Sequence, residues 1–346
     1  MNLKAITLIL FSLCTLALSA QEEPIQEEIQ LFNGEVSLPG TLSIPAKSKN
    51  PPLLIFIHGS GNIDRNGGQG PAMPLTYLKE LADALNKRGI ATYRYDKRTF
   101  SIENLKKMTR IRISDFVYDA RVAIDHFKDD PRFSGIHVMG HSQGSLVGLL
   151  LGSENLKSYT SLAGTHSTID SIIIDQFGRQ LPALKKVARD HFAELHKTDT
   201  ILQVNPFLVQ VFAPANQRFL KDWAAYDPGV EMSKSQLPTL IIQGLADSQI
   251  PLKQGLGLAE SRLPLLTDHN KIEQIRLHPE ALQEVWLNSG IDQGNQVQLA
   301  IIPKLNHVLK EVNSTQENIN AYSDTSVPLS ESLVEVLSQF LLSIDG

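Results

Sequence analysis

The segment Val138-Met139-Gly140-His141-Ser142-Gln143-Gly144 constrains this chain more than any other. It sets Gly-x-Ser-x-Gly between a short apolar run, Ile136 to Met139, and a helix-like run, Ser145 to Gly152. A strand that drives straight into a helix here needs a turn so tight that only glycine fits on either side of the serine. The serine is then held in a strained backbone conformation, with its hydroxyl exposed above the sheet edge. Ser142 is therefore a candidate nucleophile. The competing reading is a Gly/Ser turn that lets a helix pack closely on a strand. A serine hydroxyl reacts poorly at neutral pH, so a nucleophile here calls for a base, an orienter for that base, and donors for a developing oxyanion.

The N-terminus differs from everything after it. Lys4 is the only charge in residues 1–20, Ala5 to Leu18 is apolar, and small residues follow at Ala17, Ser19 and Ala20. This is the layout of a secretory signal peptide, with cleavage after Ser19 or Ala20 and an exported, periplasmic or secreted product. An uncleaved anchor is the rival. A lipid anchor on Cys14 is disfavoured because bulky Leu13 precedes it. Cys14 is also the only cysteine, so the mature chain has no disulfide, thiolate metal site or cysteine nucleophile. Residues 21–30 are rich in Glu and Gln and read as a loose lead-in. The formal net charge of −5 and the lack of a basic block give no reason to expect nucleic-acid binding.

The mature chain then alternates strand and helix patterns. Ile29 to Pro45 reads as antiparallel edge strands turning at Asn33-Gly34 and Pro39-Gly40. Leu53 to Ile57 is a continuous apolar run, as expected of a parallel strand buried on both faces, and it ends in His58-Gly59-Ser60-Gly61. His58 reads as structural. Asn62 to Pro74 is a polar, glycine-rich loop at a site mouth, in which Asp64 and Arg65 form an ion pair or contact substrate. Leu75 to Arg88 is an amphipathic helix stopped by Gly89; Ile90 to Tyr95 is a strand; Ile113 to Phe127 is a helix capped by Ser114. The order predicts an α/β fold with a doubly wound, mostly parallel sheet.

After the strand Tyr159 to Ala163, residues 167–235 carry no strand-like run. Helical patterns at Leu184 to Leu195 and Phe207 to Trp223 read as a cap inserted over the site, or as a plain packing layer. His191 and His196 are five apart and off one helical face, which argues against a metal site. Thr239 to Ile242 returns to the buried-strand pattern and leads to Asp247; Gln298 to Ile302 is the last strand and leads to His307. A carboxylate and an imidazole thus follow Ser142 in order, each just past a later strand. Between them Leu252 to Leu263 and Pro279 to Leu287 look helical, and segment 264–296 has no assigned place. Ser330 to Leu342 closes the chain as an amphipathic helix.

With these residues the chain resembles the α/β-hydrolase superfamily over nearly all of its mature length. Within it, His58-Gly59-Ser60-Gly61, Arg94-Tyr95-Asp96-Lys97-Arg98, Gly140-His141-Ser142-Gln143-Gly144 and Leu305-Asn306-His307 resemble the bacterial secreted EstD-like esterases and serine aminopeptidase-like hydrolases. The resemblance implies a catalytic triad of Ser142, Asp247 and His307, in the superfamily's chain order. It implies an oxyanion hole from the backbone N–H groups of Gln143 and Ser60, with Gly61 the alternative to Ser60. It implies an inserted helical cap, so that residues 1–20 are the signal peptide, 21–166 and 236–346 the hydrolase core, and 167–235 the cap. It implies no metal or organic cofactor, a small-molecule ester as substrate, and no stable membrane insertion after signal cleavage. The expected activity is that of a carboxylesterase. A peptidase, an acyltransferase or thioesterase with the same triad, and a non-catalytic binding protein on a hydrolase scaffold remain as alternatives. Thr99-Phe100-Ser101 stands where the group usually has a glycine-containing turn, and residues before His307 are extra.

Overall fold

The computed structural model describes residues 23–71, 73–262 and 269–345; the expected signal peptide lies outside the described residues. Two edge strands come first, β1 (Ile25–Asn33) and β2 (Val36–Ile44), followed by β3 (Leu53–Ile57). Next come α1 (Tyr77–Lys87), β4 (Ala91–Tyr95), α2 (Ile102–Lys107), α3 (Ile113–Phe127), β5 (Ile136–His141), α4 (Gln143–Leu149) and β6 (Ser158–Leu162). A helical stretch follows: α5 (Ile169–Gln180), α6 (Leu184–Thr198), α7 (Val209–Phe212), α8 (Pro214–Ala224) and α9 (Pro228–Lys234). The chain then resumes with β7 (Thr239–Gly244), α10 (Leu252–Arg262), α11 (His269–Leu277), β8 (Trp286–Asp292), β9 (Asn295–Ile302), α12 (Thr315–Asn320) and α13 (Glu331–Asp345).

Among the described residues the strands form one sheet in the order β1-β2-β4-β3-β5-β6-β7-β9-β8. The inner strands, from β4 across to β9, run parallel, and β1, β2 and β8 pair antiparallel at the edges. β3, β4, β5, β6 and β7 are buried at every residue, so they are covered on both faces and show no alternation of buried and exposed positions. One core layer packs α3, α4 and α10 against the sheet, and a second packs α1 and α13 on its other face. The α5–α9 stretch has its own apolar cluster around Ile172, Phe192, Leu195, Leu208 and Phe212.

The topology concentrates chemistry at one sheet edge. From β3 the chain moves outward to β4, then crosses back to β5 on the other side of β3. That reversal is a switch point, where the loops after β3 and β5 part and leave a crevice. Register pairs Ile57 with Gly140, so the turn after β3 and the turn after β5 begin side by side. In the same way Gly244 pairs with Ile302, which brings the loops bearing Asp247 and His307 together.

Several sequence readings need correction. The lead-in over residues 21–30 already contains β1 from Ile25; its Glu27, Glu28 and Gln30 make a polar edge strand that resists sheet-to-sheet association. Pro39-Gly40 is no turn but lies inside β2, because the Tyr93 ring of the neighbouring strand fills the space where a Cβ on residue 40 would sit. α3 is capped at Arg112, whose N–H donates to the Asp115 carboxylate at 2.7 Å, and not by Ser114. Phe207 to Trp223 is interrupted where Ala213 takes an extended conformation before Pro214, the restriction proline places on its predecessor. Pro279 to Leu287 is a short 3-10 turn followed by β8, which forms a hairpin with β9 through Gln293-Gly294, both at positive φ. β8 escaped the sequence reading because it is half exposed and contains Ser289-Gly290, with no continuous apolar run.

Candidate active site

Ser142 sits between β5 and α4 at φ 54° and ψ −116°, the strained conformation expected of an elbow. A Cβ on Gly140 would overlap the carbonyl of Gly144, and a Cβ on Gly144 would overlap the carbonyl of Ile57. Both glycines are thus obligatory, since α4 returns against the strand ends with no room for a side chain. The Ser142 N–H donates to the Leu162 carbonyl at 2.9 Å, fixing the elbow to β6.

Asp247 and His307 are both buried, and His307 Nδ1 lies 2.8 Å from Asp247 Oδ2. The other carboxylate oxygen accepts the N–H groups of Gln249 and Ile250, each at 2.8 Å. Asp247 is therefore fully satisfied as an anion, and its acceptor places the proton of His307 on Nδ1, leaving Nε2 free as an acceptor. The His307 loop is shaped by Asn306, whose Oδ1 accepts the N–H groups of Val308 and Lys310.

His141 brings the serine and the imidazole to one place. Its Nε2 is 2.9 Å from the His307 carbonyl, and the two rings stand 4.8 Å apart. Since the partner is a carbonyl, Nε2 carries the hydrogen and donates it. Burial, then the neighbouring His307, lowers the His141 pKa to about 3, so this ring is a neutral strut. Among the described residues no hydrogen bond joins the Ser142 hydroxyl to His307 Nε2. In resting hydrolytic sites this contact is often long and tightens when substrate binds.

The turn after β3 lies against the elbow: a Cβ on Gly59 would stand 3.3 Å from the Cβ of Ser142 and from His141 Nδ1. Among the described residues the amide N–H groups of Ser60 and Gln143 have no hydrogen-bond partner, so both are open donors beside the serine. His58 is buried against Tyr95, with its pKa lowered to about 3 mainly by burial and next by Lys97. It stands behind the turn as a neutral packing group.

Asp64 and Arg65 do not pair with each other. Asp64 closes its own loop by accepting the N–H groups of Asn66 and Gly68, at 2.8 and 2.9 Å. Arg65 forms a fork on Asp96 at 3.0 and 3.1 Å, and reaches Glu28 on β1. His191 Nε2 accepts the Asn205 N–H at 3.0 Å and His196 Nε2 lies 3.3 Å from Asp170, so the two histidines serve different partners.

A family model for the serine aminopeptidase (S33) hydrolases matches residues 72–201. The esterase EstD of Thermotoga maritima is 24% identical over 294 residues, which cover 83% of this chain and 61% of that protein. Est1E from Butyrivibrio proteoclasticus has the same fold, with a TM-score of 0.52 at 16% identity over 92% of this chain and 98% of that one. The chain has the α/β-hydrolase fold. The acylaminoacyl peptidase of Pyrococcus horikoshii is similar too, with a TM-score of 0.54 at 14% identity, covering 92% of this chain and 42% of that one. Likeness at these identities shows the α/β-hydrolase fold and does not extend to substrate. The chain spans about three-fifths of the length of EstD.

Three residues around the candidate site had no role in the sequence reading. Lys97 and Thr99, after β4, bond to the Gly59–Gly61 turn; His141 bonds to the His307 backbone. The signal was present in Asp96-Lys97-Arg98, a charged run at the end of a fully buried inner strand. Such a run must be either solvated or paired, and here it is paired. Arg98 forks onto Asp119 of α3, at 2.6 Å through both Nε and Nη2.

Proposed function

We propose that this chain is a serine hydrolase that cleaves carboxylic esters through an acyl-enzyme, that is, a carboxylesterase. One observation carries the reading: a serine in strained elbow geometry follows His141, which bonds to the backbone of His307, and His307 is itself hydrogen-bonded to buried Asp247. The Ser142 hydroxyl attacks the ester carbonyl carbon while His307 Nε2 takes its proton. The carbonyl electron pair moves onto oxygen, and the N–H groups of Gln143 and Ser60 receive the oxyanion. Collapse expels the alkoxide, which leaves with the proton from His307. Water then repeats the sequence on the acyl-enzyme and returns Ser142. Asp247 fixes the His307 tautomer and stabilises the imidazolium. None of these steps calls for a metal or an organic cofactor.

Residues 167–235 are read as the cap that shapes the pocket. Support comes from α5, whose Gln176 and Arg179 side chains donate to carbonyls of Ser248 and Gln249 in the Asp247 loop. Among the described residues no helix is long and apolar enough to cross a membrane. Residues 1–20 are read as an export signal; the intact mass of the secreted or periplasmic product, starting at Ala20 or Gln21, tests this.

The function is tested with para-nitrophenyl esters from acetyl to dodecanoyl and with aminoacyl-para-nitroanilides, on the mature chain and on Ser142→Ala. Ester turnover that drops by several orders of magnitude in the variant supports the reading. Anilide cleavage without ester turnover would move the assignment to a peptidase. Near-normal esterase activity in Ser142→Ala would sink it.

A further inference from the structure

The turn that carries Ser60 is gripped from one side by the residues after β4. Lys97 Nζ donates to the Gly59 carbonyl at 2.5 Å and to the Gln143 side-chain oxygen at 2.7 Å. Thr99 Oγ1 donates to the Gly61 carbonyl at 3.1 Å. Lys97 is buried, lies 4.5 Å over the Phe116 ring, and has its pKa brought down to about 7 by burial, with Asp119 opposing that shift. Either protonation state keeps at least two N–H donors, so both bonds survive the loss of the charge. The segment is itself immobilised, since Arg98 is locked to Asp119 and to the Asp115 carbonyl.

Peptide planarity turns these bonds into an orientation. The carbonyl of Gly59 and the N–H of Ser60 belong to one planar trans unit and point in opposite directions. A donor that fixes the Gly59 carbonyl therefore fixes the Ser60 N–H as well. Lys97 does this while holding the side chain of Gln143, the residue expected to give the other donor. Thr99 holds the next plane but one, between Gly61 and Asn62, and so limits how far the intervening Ser60–Gly61 unit can turn. Neither residue has a place in the triad, and the hydrogen bonds of both side chains go to this turn and to Gln143.

We propose that Lys97 and Thr99 are positioning residues that aim the Ser60 N–H at the developing oxyanion and fix its distance from the Gln143 N–H. The inference rests on the esterase reading above. Oxyanion donors act only when correctly placed, and removing one outright costs about 10²- to 10³-fold in kcat. A donor that is loosened rather than removed loses part of that.

The test compares wild-type chain with Lys97→Met, Thr99→Val and Thr99→Ser. Methionine keeps the apolar stem, valine keeps the shape of threonine without the hydroxyl, and serine keeps the hydroxyl. The readouts are kcat and KM on the best para-nitrophenyl ester and Ki for an alkyl trifluoromethyl ketone. That ketone accepts the Ser142 oxygen at its carbonyl carbon, His307 takes the proton, and the carbonyl pair becomes a stable oxyanion. The expected result for Lys97→Met is a drop in kcat of about ten- to a hundredfold, and for Thr99→Val of about three- to tenfold, with KM within about twofold. Ki rises by the same factor as kcat falls, and Thr99→Ser stays close to wild type. A merely structural role would lower the melting temperature and leave the ratio of Ki to KM unchanged. Unchanged kcat in folded Lys97→Met, or in Thr99→Val should the lysine variant not fold, would overturn the proposal. Wild-type chain with no ester turnover and no labelling of Ser142 by a fluorophosphonate would instead overturn the esterase reading.

Discussion

Replacing Asp247 with asparagine separates catalysis from scaffolding at this site. The carboxylate accepts three bonds: two backbone N–H groups on Oδ1 and His307 Nδ1 on Oδ2. An asparagine placed in the same rotamer keeps its oxygen on the two backbone groups and presents its amide NH₂ to His307. The loop therefore stays closed. His307 must then accept at Nδ1, which moves its hydrogen to Nε2, the atom that has to take the proton of Ser142. The charge that stabilises the imidazolium is lost at the same time, in a site where both residues are buried. The same substitution in serine proteases lowers kcat by about 10⁴, equivalent to about 5.4 kcal/mol of transition-state stabilisation. The expectation is a loss of that order in kcat/KM on a para-nitrophenyl ester, with the urea midpoint unchanged within about 1 kcal/mol of stability. If Asp247 served only to fold the 247–250 turn, the Asp247→Asn variant would be nearly as active as the wild type. A loss smaller than about tenfold would refute the triad assignment.

Two further outcomes follow from the same geometry. Gly144→Ala drives a methyl into the Ile57 carbonyl; neither backbone segment can yield, so stability drops by roughly 3 kcal/mol or more in denaturant unfolding. For pH, His58 and His141 ionise near 3 when folded and near 6.5 when unfolded. The unfolded chain binds the extra protons between those values, so their contribution to stability is intact above about pH 6.5 and falls as pH drops through the window. Each removes about 1.4 kcal/mol per pH unit there, and His141→Phe should flatten the stability profile between about pH 4 and 6 by that amount relative to wild type.

The sequence alone determined the class of fold and the chain order of the candidate site residues. Short apolar runs rich in Ile and Leu and bounded by turn residues, such as Leu53 to Ile57 and Leu240 to Ile242, fit strands covered on both faces, and helix patterns between them fit a parallel, doubly wound sheet. Gly140 and Gly144 around Ser142 encode a turn whose sterics admit little else, which is why the elbow was legible residue by residue. Asp247 and His307 were legible because each follows a buried strand, and register then brings those strand ends together. Half-exposed edges were legible only in part: the hairpin at Asn33-Gly34 was read from Ile29 on, but the polar start of β1 and all of β8, which carries Ser289-Gly290, were not, because neither shows a continuous apolar run. Nor could the sequence place Lys97, Thr99 and His141. A lysine can bond any carbonyl within reach, and which one it meets is decided by the crossover that lays β4 and β5 on either side of β3. Tertiary structure turned a charged run after a buried strand into the support of the Ser60 turn, and a histidine inside the elbow into a strut for the His307 loop. Both assignments depend on contacts between strand ends that are brought together by the sheet but lie 38 residues apart, in the first case, and 166 in the second.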